Sequence, residues 1–98
     1  MSHVIAVVFV PKPAHRAEFR SAIIENATAS RTLEPGCRQF DVCESVDGSE
    51  IFLYEIYDDE AAFQAHLATD HYKRFNARTT PWVADKRIVK YRRLSPES

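Results

Sequence analysis

Residues 37–57 read "CRQFDVCESVDGSEIFLYEIY", and the way this stretch folds decides the architecture. Two runs rich in β-branched and aromatic side chains flank Asp47-Gly48-Ser49, and Asp-Gly between such runs is a strong local signal for a β-hairpin. The segment is expected to fold back on itself as two antiparallel strands. In the second run, apolar side chains occupy odd and even positions alike, so both faces of that strand need cover.

Working outward, "EPG" (34–36) marks a turn, with Pro35 presetting one dihedral angle and Gly36 free to take positive φ. Before it, Pro13 suits the first turn of a helix in which Phe19, Ala22, Ile23, Asn26, Ala27 and Ser30 recur on one face. "HVIAVVFV" (3–10) is apolar at nearly every position and reads as a strand covered on both sides, ended by Pro11. After the hairpin, "DDEAAFQAHLAT" (58–69) opens with three acids where a helix dipole favours them, and its inner stripe is Ala62, Phe63, His66 and Leu67. Thr69 caps a further helix carrying Tyr72, Phe75, Thr79 and Trp82 or Val83, which Pro81 should kink or end. "KRIVKYRRL" (86–94) closes the chain as a last strand.

The order β-α-β-β-α-(α)-β is α+β, a ferredoxin-like split βαβ arrangement. At 98 residues the chain is one domain, 1–98, with one core. Its helices suffice for one side of a four-stranded sheet. The other, also apolar, predicts a homodimer with sheets packed face to face.

Composition narrows the function. With 45% hydrophobic residues, 28% charged and a formal net charge of -1, no field recruits nucleic acid or anionic membrane. An RNA-binding module of the same topology needs a basic, glycine-containing motif around its third-strand aromatics, and "EIFLYEIY" lacks both. The first apolar run is too short for a membrane span or a signal h-region, so a cytoplasmic location is expected. Cys37 and Cys43 lie on one predicted strand about 20 Å apart, too far for a disulfide. There is no Gly-rich phosphate loop, nucleophile elbow or dinucleotide fingerprint.

The side chains that invite chemistry are polar groups placed among apolar ones. Asn26 sits on the inner stripe of the first helix, either as a buried amide satisfied by backbone or as a donor aimed at a ligand oxygen. His66 points inward, three residues after Phe63. Glu55 and Tyr57 share one strand face, and a carboxylate beside an imidazole orients it and raises its basicity. His66 with Glu55 is thus the candidate base. Phe40, Phe63, Tyr72, Phe75 and Trp82 are core aromatics that also supply walls for a cavity. His71 stands five residues from His66, off the i, i+4 spacing with which one helix clasps a metal, so no metal is expected. His3 and His15 are expected in solvent.

"EPGCRQFDV" (34–42) followed by "FLYEIYDDEAAFQAHLATDHY" (52–72) resembles the antibiotic biosynthesis monooxygenase (ABM) domain, across nearly the whole chain. The resemblance implies a dimeric α+β barrel and cofactor-independent oxidation of an electron-rich aromatic such as a quinol by O2. Other members imply isomerisation of a phosphorylated sugar-like signal of the autoinducer-2 phosphate type, or haem degradation. The haem branch carries a tryptophan and an axial histidine where this chain has His66 and Asn76, which argues against haem. The family's Thr-Pro-His segment here reads Thr69-Asp70-His71. On this basis His66, backed by Glu55, would take a phenolic proton while Asn26 and Tyr57 hold the oxyanion. A noncatalytic dimeric protein that binds an aromatic ligand remains the reading from a different class.

Overall fold

A computed structural model describes residues 2–96. Strand β1 (His3–Pro11) leads through a 3₁₀ turn at Pro13–His15 into helix α1 (Arg16–Leu33). The hairpin β2 (Cys37–Glu44) and β3 (Ile51–Tyr57) follows, then helices α2 (Glu60–Leu67) and α3 (Asp70–Thr79), a 3₁₀ turn at Thr80–Trp82, and β4 (Val83–Arg92). The sheet order is β2-β3-β1-β4, with every neighbouring pair antiparallel. This is the expected ferredoxin-like α+β fold. Among the described residues no helix is long and apolar enough to cross a membrane.

Pairing register sorts the side chains onto two faces, because directly opposed residues point the same way. The rows Ile5–Glu55–Lys90, Val7–Leu53–Ile88 and Phe9–Ile51–Lys86 face the helices, and Phe40 and Val42 of β2 join them opposite Glu55 and Leu53. Phe19, Ala22, Ile23 and Ala27 of α1, Phe63 of α2 and Phe75 of α3 close this core. The rows Val4–Ile56–Tyr91, Ala6–Tyr54–Val89 and Val8–Phe52–Arg87 form the opposite face, on which Phe52, Val89 and Tyr91 are exposed.

Several boundaries differ from expectation for local reasons. The hairpin connection is longer than a two-residue turn. Gly48 takes φ 77°, while the Asp47 carboxylate accepts from Ser45 Oγ and from the amide and hydroxyl of Ser49. Pro13 opens a 3₁₀ turn and not α1 itself. Asp59 caps α2 by accepting from the Ala62 amide and Glu60 lies in its first turn, while Asp58 pairs with Arg38. β4 begins at Val83, three residues before Lys86, because Val83 pairs with Pro11 across a register shift. Gly36 is needed for a reason other than positive φ: a Cβ there would lie 2.6 Å from the Ala62 Cβ, so only glycine lets the turn after α1 touch α2.

Candidate functional site

That contact brings the C-terminal end of α1 against the junction of α2 and α3, where the site lies. Glu34 caps α1 with its amide donating to Ser30 O. His66 sits in the last turn of α2 and His71 in the first turn of α3. Between them the chain breaks at Ala68, and the Thr69 hydroxyl donates to His66 O while accepting from the Tyr72 amide. Five-residue spacing would separate the two histidines on one continuous helix. Broken into two helices, the chain turns both rings onto the same carboxylate.

Glu34 Oε2 lies 2.8 Å from His66 Nδ1 and 2.5 Å from His71 Nε2. A carboxylate oxygen accepts, so His66 carries its proton on Nδ1 and His71 on Nε2. The lone pair of His66 is therefore on Nε2, which makes no hydrogen bond among the described residues. His66 is 2% exposed, and the rings of Phe40, Tyr57, Phe63 and Tyr72 surround it with centroids 5.1–6.1 Å away. Burial lowers its pKa, and the hydrogen bond and charge of Glu34 only partly oppose this. Burial thus favours the neutral imidazole, whose Nε2 lone pair can accept a proton.

The acid hydrogen-bonded to this histidine is Glu34 and not the Glu55 that the sequence suggested, although Glu55 and His66 line the same cavity. Glu55 points to the helix side of the sheet, as the register requires, but its Oε1 accepts the Tyr57 hydroxyl at 2.7 Å and the acid next to His66 is Glu34. Burial pushes Glu55 up to about 7, against the Tyr57 hydrogen bond and the charge of Lys86. Burial likewise raises the Tyr57 phenol, with Glu55 adding to it. Tyr57 is thus a donor to Glu55, and its hydroxyl is not free for a ligand oxyanion.

His66, Glu55, Asn26, Tyr72, Phe40, Phe63 and Phe75 all line one cavity of about 40 Å³ between helices and sheet, together with Lys86 and Ile88 of β4. Asn26 Oδ1 is buried without a partner, so Asn26 is not a fully satisfied structural amide, and the atom left over accepts a hydrogen bond, which suits a ligand hydroxyl and not a ligand oxyanion. A second cleft of about 230 Å³ between α1 and α3 shares Asn26 and Phe75 with the first and adds His71, Arg74 and Arg78. Asn26 and Phe75 thus contribute to both. Trp82 is elsewhere, stacked on His15 at 5.6 Å with the Arg78 guanidinium over its ring. His3 is not in solvent: its ring packs against Phe63 and its Nε2 is buried. Cys37 and Cys43 are both free, and burial pushes the Cys37 thiol up to about 11.

Comparison with known proteins gives a consistent result. The family described as "Antibiotic biosynthesis monooxygenase" matches residues 1–78. The chain is 35% identical over 79 residues, 79% of this chain and 77% of the relative, to "Putative monooxygenase Rv0793" of Mycobacterium tuberculosis. The solved structure of Rv0793 superposes with a TM-score of 0.92 at 27% identity, covering 100% of both chains. The structure titled "Putative antibiotic biosynthesis monooxygenase from Nitrosomonas europaea" superposes with a TM-score of 0.93 at 29% identity, covering 99% of this chain and 94% of that one.

Proposed function

The chain belongs to the antibiotic biosynthesis monooxygenase family, and on that premise we propose that it oxidises a small electron-rich aromatic of the quinol class with O2, using no metal or flavin for the chemistry. The observation that carries this is the His66 ring, held through Nδ1 by buried Glu34 with Nε2 left bare beside an apolar cavity. A neutral quinol reacts slowly with O2. Its anion gives up an electron readily, and removing the proton inside a dry site avoids hydrating the charge again.

His66 Nε2 takes the phenolic proton. The Tyr72 hydroxyl supplies a hydrogen bond to the oxyanion, and the unpartnered Asn26 Oδ1 accepts from the second hydroxyl of the quinol. Below pH of about 7 Glu55 is protonated and adds a further donor on the same wall. The anion then transfers electrons to O2, a C–O bond forms at the electron-rich ring carbon, and O–O cleavage follows. One oxygen atom stays in the hydroxyquinone and the other leaves as water, with every electron coming from the substrate.

A space of about 40 Å³ holds a water or two, so a ring enters only when Phe75 swings and joins the cavity to the cleft between α1 and α3. We further propose that the apolar outer face of the sheet is covered by a second copy, giving a homodimer. The two free cysteines fit a reducing, cytoplasmic setting. The test of function is O2 consumption with a panel of quinols in chelator-treated buffer, with ¹⁸O2 tracing one labelled atom into product. Substrate conversion without O2 uptake would replace this reading with the isomerase one, and binding without turnover would reduce the protein to a ligand-binding module.

A further inference from the structure

Glu34, His66 and His71 bring together one carboxylate oxygen and two imidazole nitrogens within 4.8 Å of one another. All three side chains are about nine-tenths buried or more, at 9%, 3% and 10% exposed. We infer that this cluster binds a divalent transition metal ion of the zinc type, and that the bound ion silences the His66 base. The second half of the inference rests on the function proposed above; the first does not.

Two observations beyond proximity point to a cation. Glu34 Oε1 is buried without a hydrogen-bond partner, while Oε2 serves both rings, so the carboxylate has unused donor capacity inside the protein. Among the described residues Glu34 meets the two histidines as hydrogen-bond donors, and neither lysine nor arginine pairs with it. A buried carboxylate without a fixed cation is an electrostatic vacancy that a metal fills well. Two histidines and one carboxylate also form a donor set suited to zinc and its neighbours and poorly suited to calcium or magnesium.

The fit requires side-chain movement and no change of backbone. The present contacts of 2.8 and 2.5 Å are hydrogen-bond lengths, whereas donors around a tetrahedral ion with bonds of about 2.1 Å stand roughly 3.4 Å apart. Each nitrogen moves away from the oxygen by under about 1 Å, and the two nitrogens, within 4.8 Å of each other, close by up to about 1.4 Å, shifts that side-chain rotation and a carboxylate turning Oε1 into place can supply. The backbone that carries the donors is well anchored: at Glu34 by its amide donating to Ser30 O and its carbonyl accepting from the Cys37 amide, at the histidines by the Thr69 cap. The fourth position is left to water.

Coordination has a chemical consequence at His66. The metal takes the electron pair of Nδ1, so the ring proton must reside on Nε2, and the nitrogen facing the cavity becomes a donor. No net proton is gained or lost by the neutral ring. The lone pair that would accept a phenolic proton is gone, and His66→metal occupancy and base function exclude each other.

The test is calorimetric titration of chelator-stripped, desalted protein with zinc chloride, without substrate. One equivalent binding in the micromolar range or tighter is expected, and cobalt(II) should give the visible absorption of a four- or five-coordinate ion that zinc then displaces. His71→Ala and Glu34→Gln should each weaken zinc at least about tenfold, whereas His15→Ala, which alters the exposed His15–Glu18 pair, should not. No binding by the unaltered protein, binding that survives His71→Ala in folded protein, or binding lost with His15→Ala would overturn the site. Should both cluster variants misfold, ¹⁵N shifts of the His66 and His71 ring nitrogens in the unaltered protein decide: zinc must move Nδ1 of the first and Nε2 of the second, and unmoved signals overturn the site. Inhibition of turnover should track zinc occupancy; full turnover at saturating zinc would overturn the coupling. Absence of turnover in chelator would count against the proposed function alone and leave the binding result standing.

Discussion

Replacing His66 by asparagine separates the two jobs assigned to its ring. An asparagine amide nitrogen lies close to the Nδ1 position, so His66→Asn keeps a donor for Glu34 Oε2, now 2.8 Å from the ring, and deletes Nε2. Phenylalanine does the reverse, filling the space among Phe40, Tyr57, Phe63 and Tyr72 and leaving Glu34 with His71 as its sole partner. A hydrogen bond to a buried charge contributes about 1.5–3 kcal/mol, whereas the void left by asparagine costs roughly 1–2 kcal/mol. With about 4–8 °C per kcal/mol for a domain of this size, His66→Phe should melt roughly 10 °C or more below the unaltered protein, and His66→Asn less far below it. Both should lose about 10²-fold or more in kcat/KM, the scale of a missing general base, measured by O2 uptake in chelator and paired with thermal unfolding by circular dichroism. Full turnover in His66→Asn would refute the base assignment. His66→Phe as stable as the original would show that the Glu34 contact contributes nothing to the fold.

The remaining predictions concern the surroundings of the site. Glu55 has a folded pKa raised to about 7 from 4.5, so the stability it contributes is complete below pH 4.5 and is lost as pH rises through about 7; Glu55→Gln should flatten that fall, by an upper bound of roughly 3 kcal/mol, in denaturant titrations at pH 4.5 and 8. Equal pH slopes in both proteins would mean that Glu55 is solvated. Gly36→Ala should destabilise the fold by about 1–3 kcal/mol through the clash with Ala62, and adding Ala62→Gly should recover most of it; failure of the second change to help would place the strain elsewhere. Val8→Glu, in the middle of the outer sheet face, should turn a dimer into a monomer in analytical ultracentrifugation, since covering roughly 500 Å² per chain is worth on the order of 10 kcal/mol before association costs. A well-folded monomer of the unaltered chain at micromolar concentration would refute the dimer.

What was legible in the sequence follows from which interactions are local. The hairpin could be read because Asp47-Gly48 and the flanking alternation act within a few residues, and the inner stripe of α1 because its period is written along one helix. The inward direction of His66 came the same way, from its spacing to Phe63. The partner of His66 could not be read, because Glu34 is 32 residues upstream in a segment whose visible signal, Pro35-Gly36, announces only a turn. Its carboxylate reaches the ring because Gly36 lacks a side chain where Ala62 presses in. That requirement is tertiary: it has no period and no motif.

The same limit explains His71. Spacing rules assume that the helix continues, and here Ala68 and Thr69 end one helix and cap the next, so the five-residue interval no longer measures an angle around one axis. Thr69 itself was legible as a cap. Because that cap starts a separate helix, the two rings are free to converge, and the acid they converge on has to come from whatever element packs against the junction. In a ferredoxin-like fold the first helix lies beside the last one, and the first acidic residue past the end of α1 is Glu34. The cluster is therefore a consequence of topology: a cap fixes two rings, a glycine admits the turn that follows the first helix, and the carboxylate at that turn is buried between them.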